Sequence, residues 1–336
     1  YVAVISSFFL AIMPAFIYRT SGGGLWKDTL GSFFFILFML LAMYIMKEKE
    51  RNKIILYGVL SLVVLILYAN TFGNFFFIPL IVATYVLFKP FIKETKKIKN
   101  LTLKDKILKD LDMWVLAGVC FVSLIYANFL IPTYKLESLR IYLALLGLGF
   151  ASIINFSGYF AKDRRYYIAF MAVLSVILIA IAEFVLNYNI LGYLFRSIDI
   201  SGISGQGQSS TFSDFLDKFY LFPIMAIIGV VYGVSQILSN KNAKQTLFIL
   251  SAFAFNTFMS YQMLRNSFFG GITFAIMAAF GFMGIYDFLT NKFSKEKALT
   301  ITVIALIIFS SLSLYNPLDQ RYGGSIPYRT SQSPHL

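Results

Sequence analysis

Side chains able to do chemistry are scarce in this chain, and the densest group of them is Arg19-Thr20-Ser21-Gly22-Gly23-Gly24-Leu25-Trp26-Lys27-Asp28-Thr29. Pro14 kinks the apolar stretch that leads into it, and a second apolar stretch follows it. Asp28 with Thr29 reads as the cap of that following helix, where the dipole favours a carboxylate, with glycines 22–24 as a flexible turn. The other reading is an oxygen ligand for Mg2+ or Mn2+ at a membrane surface. Hard cations of that kind take one or two carboxylates together with phosphate oxygens. Arg265, in Tyr261-Gln262-Met263-Leu264-Arg265-Asn266, is either an interfacial arginine reaching headgroups or a guanidinium fork that anchors a phosphate. Glu183 lies late in an apolar run, where an ionisable group marks function by default, although a hydrogen-bonded structural role fits it equally. The single cysteine, Cys120, excludes a disulfide framework and a cysteine-based metal site. The single histidine, His335, is the penultimate residue, so histidine-based zinc or general-base chemistry has nothing to build on.

The elements that must position these groups are apolar helices. Hydrophobic residues make up 58% of the 336-residue chain and charged ones 13%, with 37 Phe and 21 Tyr. Mean hydropathy is +0.74. A soluble domain carries about 25% charged residues, so the composition is that of a polytopic membrane protein. Runs near the roughly 20 residues needed to cross the hydrocarbon layer predict about eleven spans. They are 1–18, 30–46, 54–70, 74–91, 113–131, 138–158, 166–187, 218–238, 246–264, 267–289 and 299–315. No stretch alternates with period two, which argues against a transmembrane barrel. The expected fold class is all-α, a transmembrane helical bundle.

The formal charge of +13 is mainly a topology signal. With eleven crossings, successive loops fall on alternate sides. One side collects 20 of the 29 Lys and Arg residues, in 47–53, 89–109, 162–165, 241–244 and 292–297. The positive-inside rule makes that side cytoplasmic, so segments 19–29 and 189–217 face outside. No basic stripe with base-stacking aromatics lies outside the spans, so nucleic acid is not an expected partner.

Segment 93–112 reads either as a short amphipathic helix at the interface or as a solvated connector. Segment 189–217 is Gly/Ser-rich and long for a loop, which marks either a mobile functional element or a tolerated one. Gly229-Val230-Val231-Tyr232-Gly233 is a GxxxG pattern and reads as helix packing. The sequon-like Asn100-Leu101-Thr102 and Asn155-Phe156-Ser157 fall on the basic side and inside a span, where they read as chance. Residues 1–315 form the expected transmembrane unit, and 316–336, polar and proline-rich, read as the start of an extracytoplasmic domain.

Three blocks together resemble oligosaccharyltransferase catalytic subunits of the single-subunit archaeal and bacterial type. The stretch from Pro14 through Arg19-Thr20-Ser21-Gly22-Gly23-Gly24 to Asp28 is similar to that family's second outside loop, whose acidic D-x-D/E motif enters the next helix. Gln208-Ser209-Ser210-Thr211-Phe212-Ser213-Asp214-Phe215, followed by Leu221-Phe222-Pro223, resembles the end of its large mobile loop. Tyr261-Gln262-Met263-Leu264-Arg265 resembles its arginine-bearing helix end.

The resemblance implies the membrane half of a GT-C glycosyltransferase, preceded in the family by two further helices and followed by a soluble peptide-binding domain. It implies en bloc transfer of an oligosaccharide from a polyprenyl or dolichyl (pyro)phosphate to Asn in Asn-X-Ser/Thr of an acceptor polypeptide, with Mn2+ or Mg2+. On this resemblance Asp28 is a metal ligand, Arg19 a supporting arginine and Arg265 a holder of donor phosphate. Gln206 falls where the family has a Glu. If Arg19 and Gly23 set the register, Trp26 takes the first acidic place; a one-residue insertion makes Asp28 the first acid and Leu30 the second. Asp28 is retained in both. The lysine- and isoleucine-rich composition suggests a prokaryotic, archaeal cell membrane. Another polyprenyl-phosphate glycosyltransferase or polymerase, or a secondary transporter, are the alternatives.

Overall fold

The structure, a computed structural model, describes residues 2–13, 26–71, 75–92, 103–131, 138–158, 219–262 and 267–323. These residues form eleven α-helices and one 3-10 turn, and no strand occurs among them. The helices are α1 (Val2–Ile12), α2 (Trp26–Lys47), α3 (Arg51–Thr71), α4 (Phe77–Phe88), α5 (Leu103–Lys109), α6 (Leu111–Leu130) and α7 (Ser138–Gly158). Then come α8 (Phe222–Leu238), α9 (Ala243–Gln262), α10 (Ser267–Thr290) and α11 (Lys295–Gly323).

Local chemistry explains where several of them stop. Lys89–Phe91 tightens into a 3-10 turn at Pro90, which cannot continue α4. The tight turn from α8 to α9 is a Schellman motif. The Asn240 amide bonds to Ile237 O at 3.0 Å and the Lys241 amide to Gln236 O at 2.9 Å. Asn240 sits at φ 57° and Asn242 at φ 48°, left-handed values that asparagine tolerates better than most residues. Between α2 and α3, Glu48 Oε1 accepts the Lys49 and Glu50 amides at 2.8 and 3.1 Å. Those two bonds hold the Glu48 carboxyl below its ordinary range.

Two apolar cores result. One joins α2, α3, α4, α6 and α7 to Phe248 and Ala252 of α9 and Phe269 and Ile272 of α10. The other joins α1, α8 and α10, with Ile249 of α9 packed in and Phe309 of α11 against it. Helices α9 and α10 therefore stand between the two cores. Where α8 crosses α10 the backbones touch. A Cβ on Gly229 would collide with Met277 O, and one on Gly281 with Met225 O. Gly229 thus packs helices, as the GxxxG pattern suggested, and it does so against a second glycine the pattern did not include.

The outward faces are apolar. Ile224, Ile227, Val231 and Leu238 form an exposed stripe on α8, and Ile301, Ile304, Ile308 and Leu312 form one on α11. Stripes of this size on a soluble surface would aggregate; in lipid they cost nothing.

The expectation of about eleven spans is corrected here. Among the described residues, five helices are long and apolar enough to cross a membrane: Leu30–Lys47, Arg51–Thr71, Leu111–Leu130, Phe269–Thr290 and Lys295–Ser313. An apolar run counts residues without knowing where the helix ends. Run 74–91 holds only the 12 residues of α4, a rise of about 18 Å against a hydrocarbon core of about 30 Å. Helices α1 and α8 have 11 and 17 residues. Helix α9 has 20 residues, but Lys244, Gln245, Thr246, Ser251, Asn256, Thr257 and Ser260 dilute its apolarity. The expected span 166–187 lies outside the described residues, as do segment 189–217 and residues 324–336.

Candidate active site

Helix-end pairings sort the bundle into two ends. At one end, the C-terminus of α4 meets the N-termini of α6 and α9 through ion pairs. Lys89 Nζ donates to Asp110 Oδ1 at 2.5 Å and lies 3.6 Å from Asp112 Oδ1, while Lys244 Nζ donates to Asp112 Oδ2 at 2.7 Å. The C-termini of α8 and α10 meet there too, where Tyr232 OH donates to Asp287 Oδ2 at 2.6 Å. Asn155 near the end of α7 donates to Val86 O at 2.8 Å, and Tyr44 stacks on Tyr57 across the α2–α3 turn. The described residues of the basic segments 47–53, 89–109, 241–244 and 292–297 all lie at or beside helix termini at this end. Asp287 thus belongs to this end. We call it the basic end.

The opposite end carries the starts of α2, α4, α8 and α10 and the end of α9, and aromatic rings fix them. Phe35 of α2 packs edge-on against Phe269 of α10 with centroids 5.5 Å apart. Phe77, the first residue of α4, meets Phe255 of α9 at 5.8 Å and Phe269 at 6.5 Å. Phe219 lies 4.4 Å from Phe274. The edge-to-face contacts of Phe35, Phe77, Phe255 and Phe269 add to burial through the ring quadrupole.

Of the proposed chemical groups, only Asp28 lies on a described helix, and that helix starts at this opposite end. Asp28 is the third residue of α2, in its first turn. Position 28 is about two helical turns before Phe35 along α2. Arg265 lies outside the described residues, in the short connection 263–266 between α9 and α10, four positions before Phe269. The aromatic contact of Phe35 with Phe269 therefore joins the helix that carries Asp28 in its first turn to the helix that follows Arg265 in the chain. Arg19 and Gln206 lie outside the described residues, and so does Glu183.

Every acid whose side chain is described, namely Glu48, Glu50, Asp105, Asp110, Asp112, Asp287 and Glu296, belongs to the basic end. Among the described residues no group of three or more His, Cys, Asp or Glu is placed to hold a metal ion.

The buried ion cluster was not legible in the sequence as a cluster. Lys89 and Lys244 counted there only as orientation charges, and Asp110 and Asp112 fell at the end of the segment read as amphipathic or solvated. The structure divides that segment: α5 is a separate seven-residue helix, while Asp110 and Asp112 are buried. A signal existed. Two acids spaced i, i+2 at the very start of an apolar span favour the helix dipole and call for a cationic partner.

No protein-family profile matches the sequence, and no curated protein is similar to it in sequence. Solved structures are similar in fold. One is the archaeal oligosaccharyltransferase AglB from Archaeoglobus fulgidus in complex with an inhibitory peptide and a dolichol-phosphate, at TM-score 0.60 and 15% identity, over 94% of this chain and 40% of that one. Another is the Archaeoglobus fulgidus oligosaccharyltransferase tethered through a disulfide bond to an acceptor peptide containing the NVT sequon. It has TM-score 0.57 and 17% identity, over 94% of this chain and 39% of that one. The chain thus has the fold of a part of these oligosaccharyltransferases and spans about two-fifths of their length.

Proposed function

We propose that this chain is the membrane catalytic unit of an oligosaccharyltransferase, a GT-C-like glycosyltransferase that moves a glycan from a polyprenyl or dolichyl (pyro)phosphate to Asn in Asn-X-Ser/Thr. The observation that carries the reading is the match of nearly the whole chain to oligosaccharyltransferase folds, whose solved forms hold a dolichol-phosphate or a sequon peptide. The three sequence blocks that resemble the family support it independently. The reading includes a catalytic unit of residues 1–315 and a site at the end opposite the basic one. That end faces the outside of an archaeal cell membrane.

The chemistry is difficult in two places. An amide nitrogen is a poor nucleophile because its lone pair is delocalised, and the (pyro)phosphate must depart with its charge stabilised. In this reading the Asn amide nitrogen bonds to the anomeric carbon, the carbon–oxygen bond to phosphate breaks, the phosphate leaves as an anion still on its lipid, and the proton that the amide nitrogen loses passes to solvent. Arg265 holds the donor phosphate with a planar two-donor fork. Arg19 supports the loop that leads to Asp28. Gln206, neutral where the family has a Glu, orients the acceptor amide by hydrogen bonding rather than by charge. Asp28 would offer one carboxylate to Mn2+ or Mg2+, hard cations that bind carboxylate and phosphate oxygens. An ion held there would supply Lewis-acid charge for the leaving phosphate.

Transfer from a lipid-linked oligosaccharide to an Asn-X-Thr peptide, followed with and without Mn2+, tests the proposal on the full-length protein. Asp28→Ala is expected to abolish transfer. Full activity in that variant would remove Asp28 from the metal role. Transfer of the same glycan to another acceptor, with none to the sequon peptide, would instead favour a different polyprenyl-phosphate glycosyltransferase.

A further inference from the structure

Two turns at the basic end stand open: residues 239–242 join α8 to α9, and residues 291–294 join α10 to α11. Residues 238–242 and 291–297 are all exposed. Helices α8 and α10 pack side by side up to this end, where the Tyr232 hydroxyl donates to Asp287 Oδ2 at 2.6 Å, so the two helix ends lie together. The turns carry Lys241, Lys292, Lys295 and Lys297, and none of these makes an ion pair with a described residue. Of the two acids in the same stretches, Asp287 is engaged by Tyr232, and Glu296 sits in the first turn of α11, where the helix dipole favours it. Apolar side chains are exposed beside the charges. Leu238 is 65% exposed, Phe288 58%, Phe293 48% and Leu299 53%. Lys292 Nζ lies 4.7 Å from the centroid of the Phe288 ring, which holds that cation over an apolar surface. Helices α10 and α11 are both able to cross a membrane, so the turn between them lies at the boundary of the apolar layer. The α2–α3 turn at the same end differs: Glu48 and Glu50 stand among its basic residues, and Lys53 pairs with Glu50 at 3.0 Å.

We propose that the paired α8–α9 and α10–α11 turns form a docking surface for anionic phospholipid headgroups, whose phosphates meet Lys241, Lys292, Lys295 and Lys297 while Phe288 and Phe293 enter the acyl boundary. A cluster of about four to eight basic residues beside a spanning helix suits an anionic leaflet. The attraction decays within a Debye length of about 8–10 Å at physiological salt, and a turn that joins two spanning helices keeps its lysines inside that range. Lipid is favoured over an acidic peptide or a nucleic acid because charge and exposed apolar side chains coincide. A water-soluble partner would answer the lysines and leave Leu238 and Leu299 in water, whereas a membrane surface covers both kinds of group. The inference needs no glycan transfer and stands apart from the proposed activity.

The test uses the full-length protein in phosphatidylcholine nanodiscs with and without phosphatidylglycerol, with native mass spectrometry counting the lipids retained after partial delipidation. The wild type is expected to retain phosphatidylglycerol preferentially, with the preference falling as salt rises. The variant Lys241→Gln/Lys292→Gln/Lys295→Gln/Lys297→Gln is expected to lose that preference by roughly fivefold in apparent affinity for each lysine removed. Lys49→Gln/Lys53→Gln, at the turn that carries Glu48 and Glu50, is expected to keep it. A milder variant, Lys295→Gln/Lys297→Gln, reads the same effect should the larger one fail to fold. Equal phosphatidylglycerol retention by wild type and the patch variants overturns the proposal, as does an equal loss in the Lys49/Lys53 control. Lysine-dependent binding of an acidic peptide or an oligonucleotide by protein that shows no lipid preference also overturns it. Glycan transfer is not the readout, so failure here and failure of the proposed activity are distinguishable.

Discussion

The two ends of the bundle secure their helices by different physics. At the basic end, helix termini are joined by charge: Lys89 with Asp110 and Asp112, Lys244 with Asp112, and Tyr232 with Asp287. At the opposite end they are joined by rings: Phe35, Phe77, Phe255 and Phe269, with Phe219 and Phe274 nearby. A buried charge is tolerated only when paired, and the basic end shows its buried acids paired within the protein. Rings make no such demand on the polar groups beside them. An end built from rings can therefore hold a helix start such as that of α2 in place while leaving its polar groups to a ligand.

The comparison breaks or sharpens with four variants. Asp112→Ala removes the one acid shared by Lys89 and Lys244; Lys89 keeps Asp110 while Lys244 loses its hydrogen-bond partner, and the expected cost is about 1–3 kcal/mol. A drop in Tm measured in detergent checks this; an unchanged Tm would mean that the cluster holds nothing. Gly281→Leu drives a side chain into the α8–α10 backbone contact, and overpacking of that kind costs about 1–3 kcal/mol or more. It should destabilise both ends together, whereas a loss confined to one end would deny that α10 stands between the two cores.

Arg265→Ala is expected to reverse the Asp112 pattern. Donor KM should rise about 10- to 100-fold, the loss of a charge-assisted contact, with Tm unchanged. A KM that stays put would leave Arg265 an interfacial anchor; a Tm falling as far as in Asp112→Ala would erase the difference between the ends. The smallest effect belongs to Lys53→Ala. Lys53 pairs with Glu50 at 3.0 Å, but both side chains are about half exposed or more, at 49% and 66%. Neither Tm nor transfer should change, because exposed pairs gain little.

Much of this was legible one residue at a time. The all-helical class follows from apolar runs without period-two alternation. The sorting of basic loops to one end follows from counting lysines between runs, and the structure groups the flanks of four of the five basic segments together. Gly229 was readable as a packing position. Its partner Gly281 was not, because the two lie in different helices and only their crossing makes the second glycine necessary. The number of full-length spans was misread for a related reason: hydropathy does not register that Pro90 stops α4 after 12 residues or that α9 buries polar groups within the bundle.

The candidate site divides the same way. Sequence alone selected Arg19, Asp28, Gln206 and Arg265 by residue type and by their resemblance to known blocks, since charge is so rare here that its positions are informative. Only the tertiary structure decided that the helix with Asp28 in its first turn and the helix following Arg265 meet, through Phe35 and Phe269. Only it could decide that Asp110 and Asp112 turn inward to Lys89 and Lys244 rather than outward to water. Composition is a property of the chain and sets the solvent it must live in. Pairing is a property of distance, and residues 89, 110, 112 and 244 acquire one only when three helices pack.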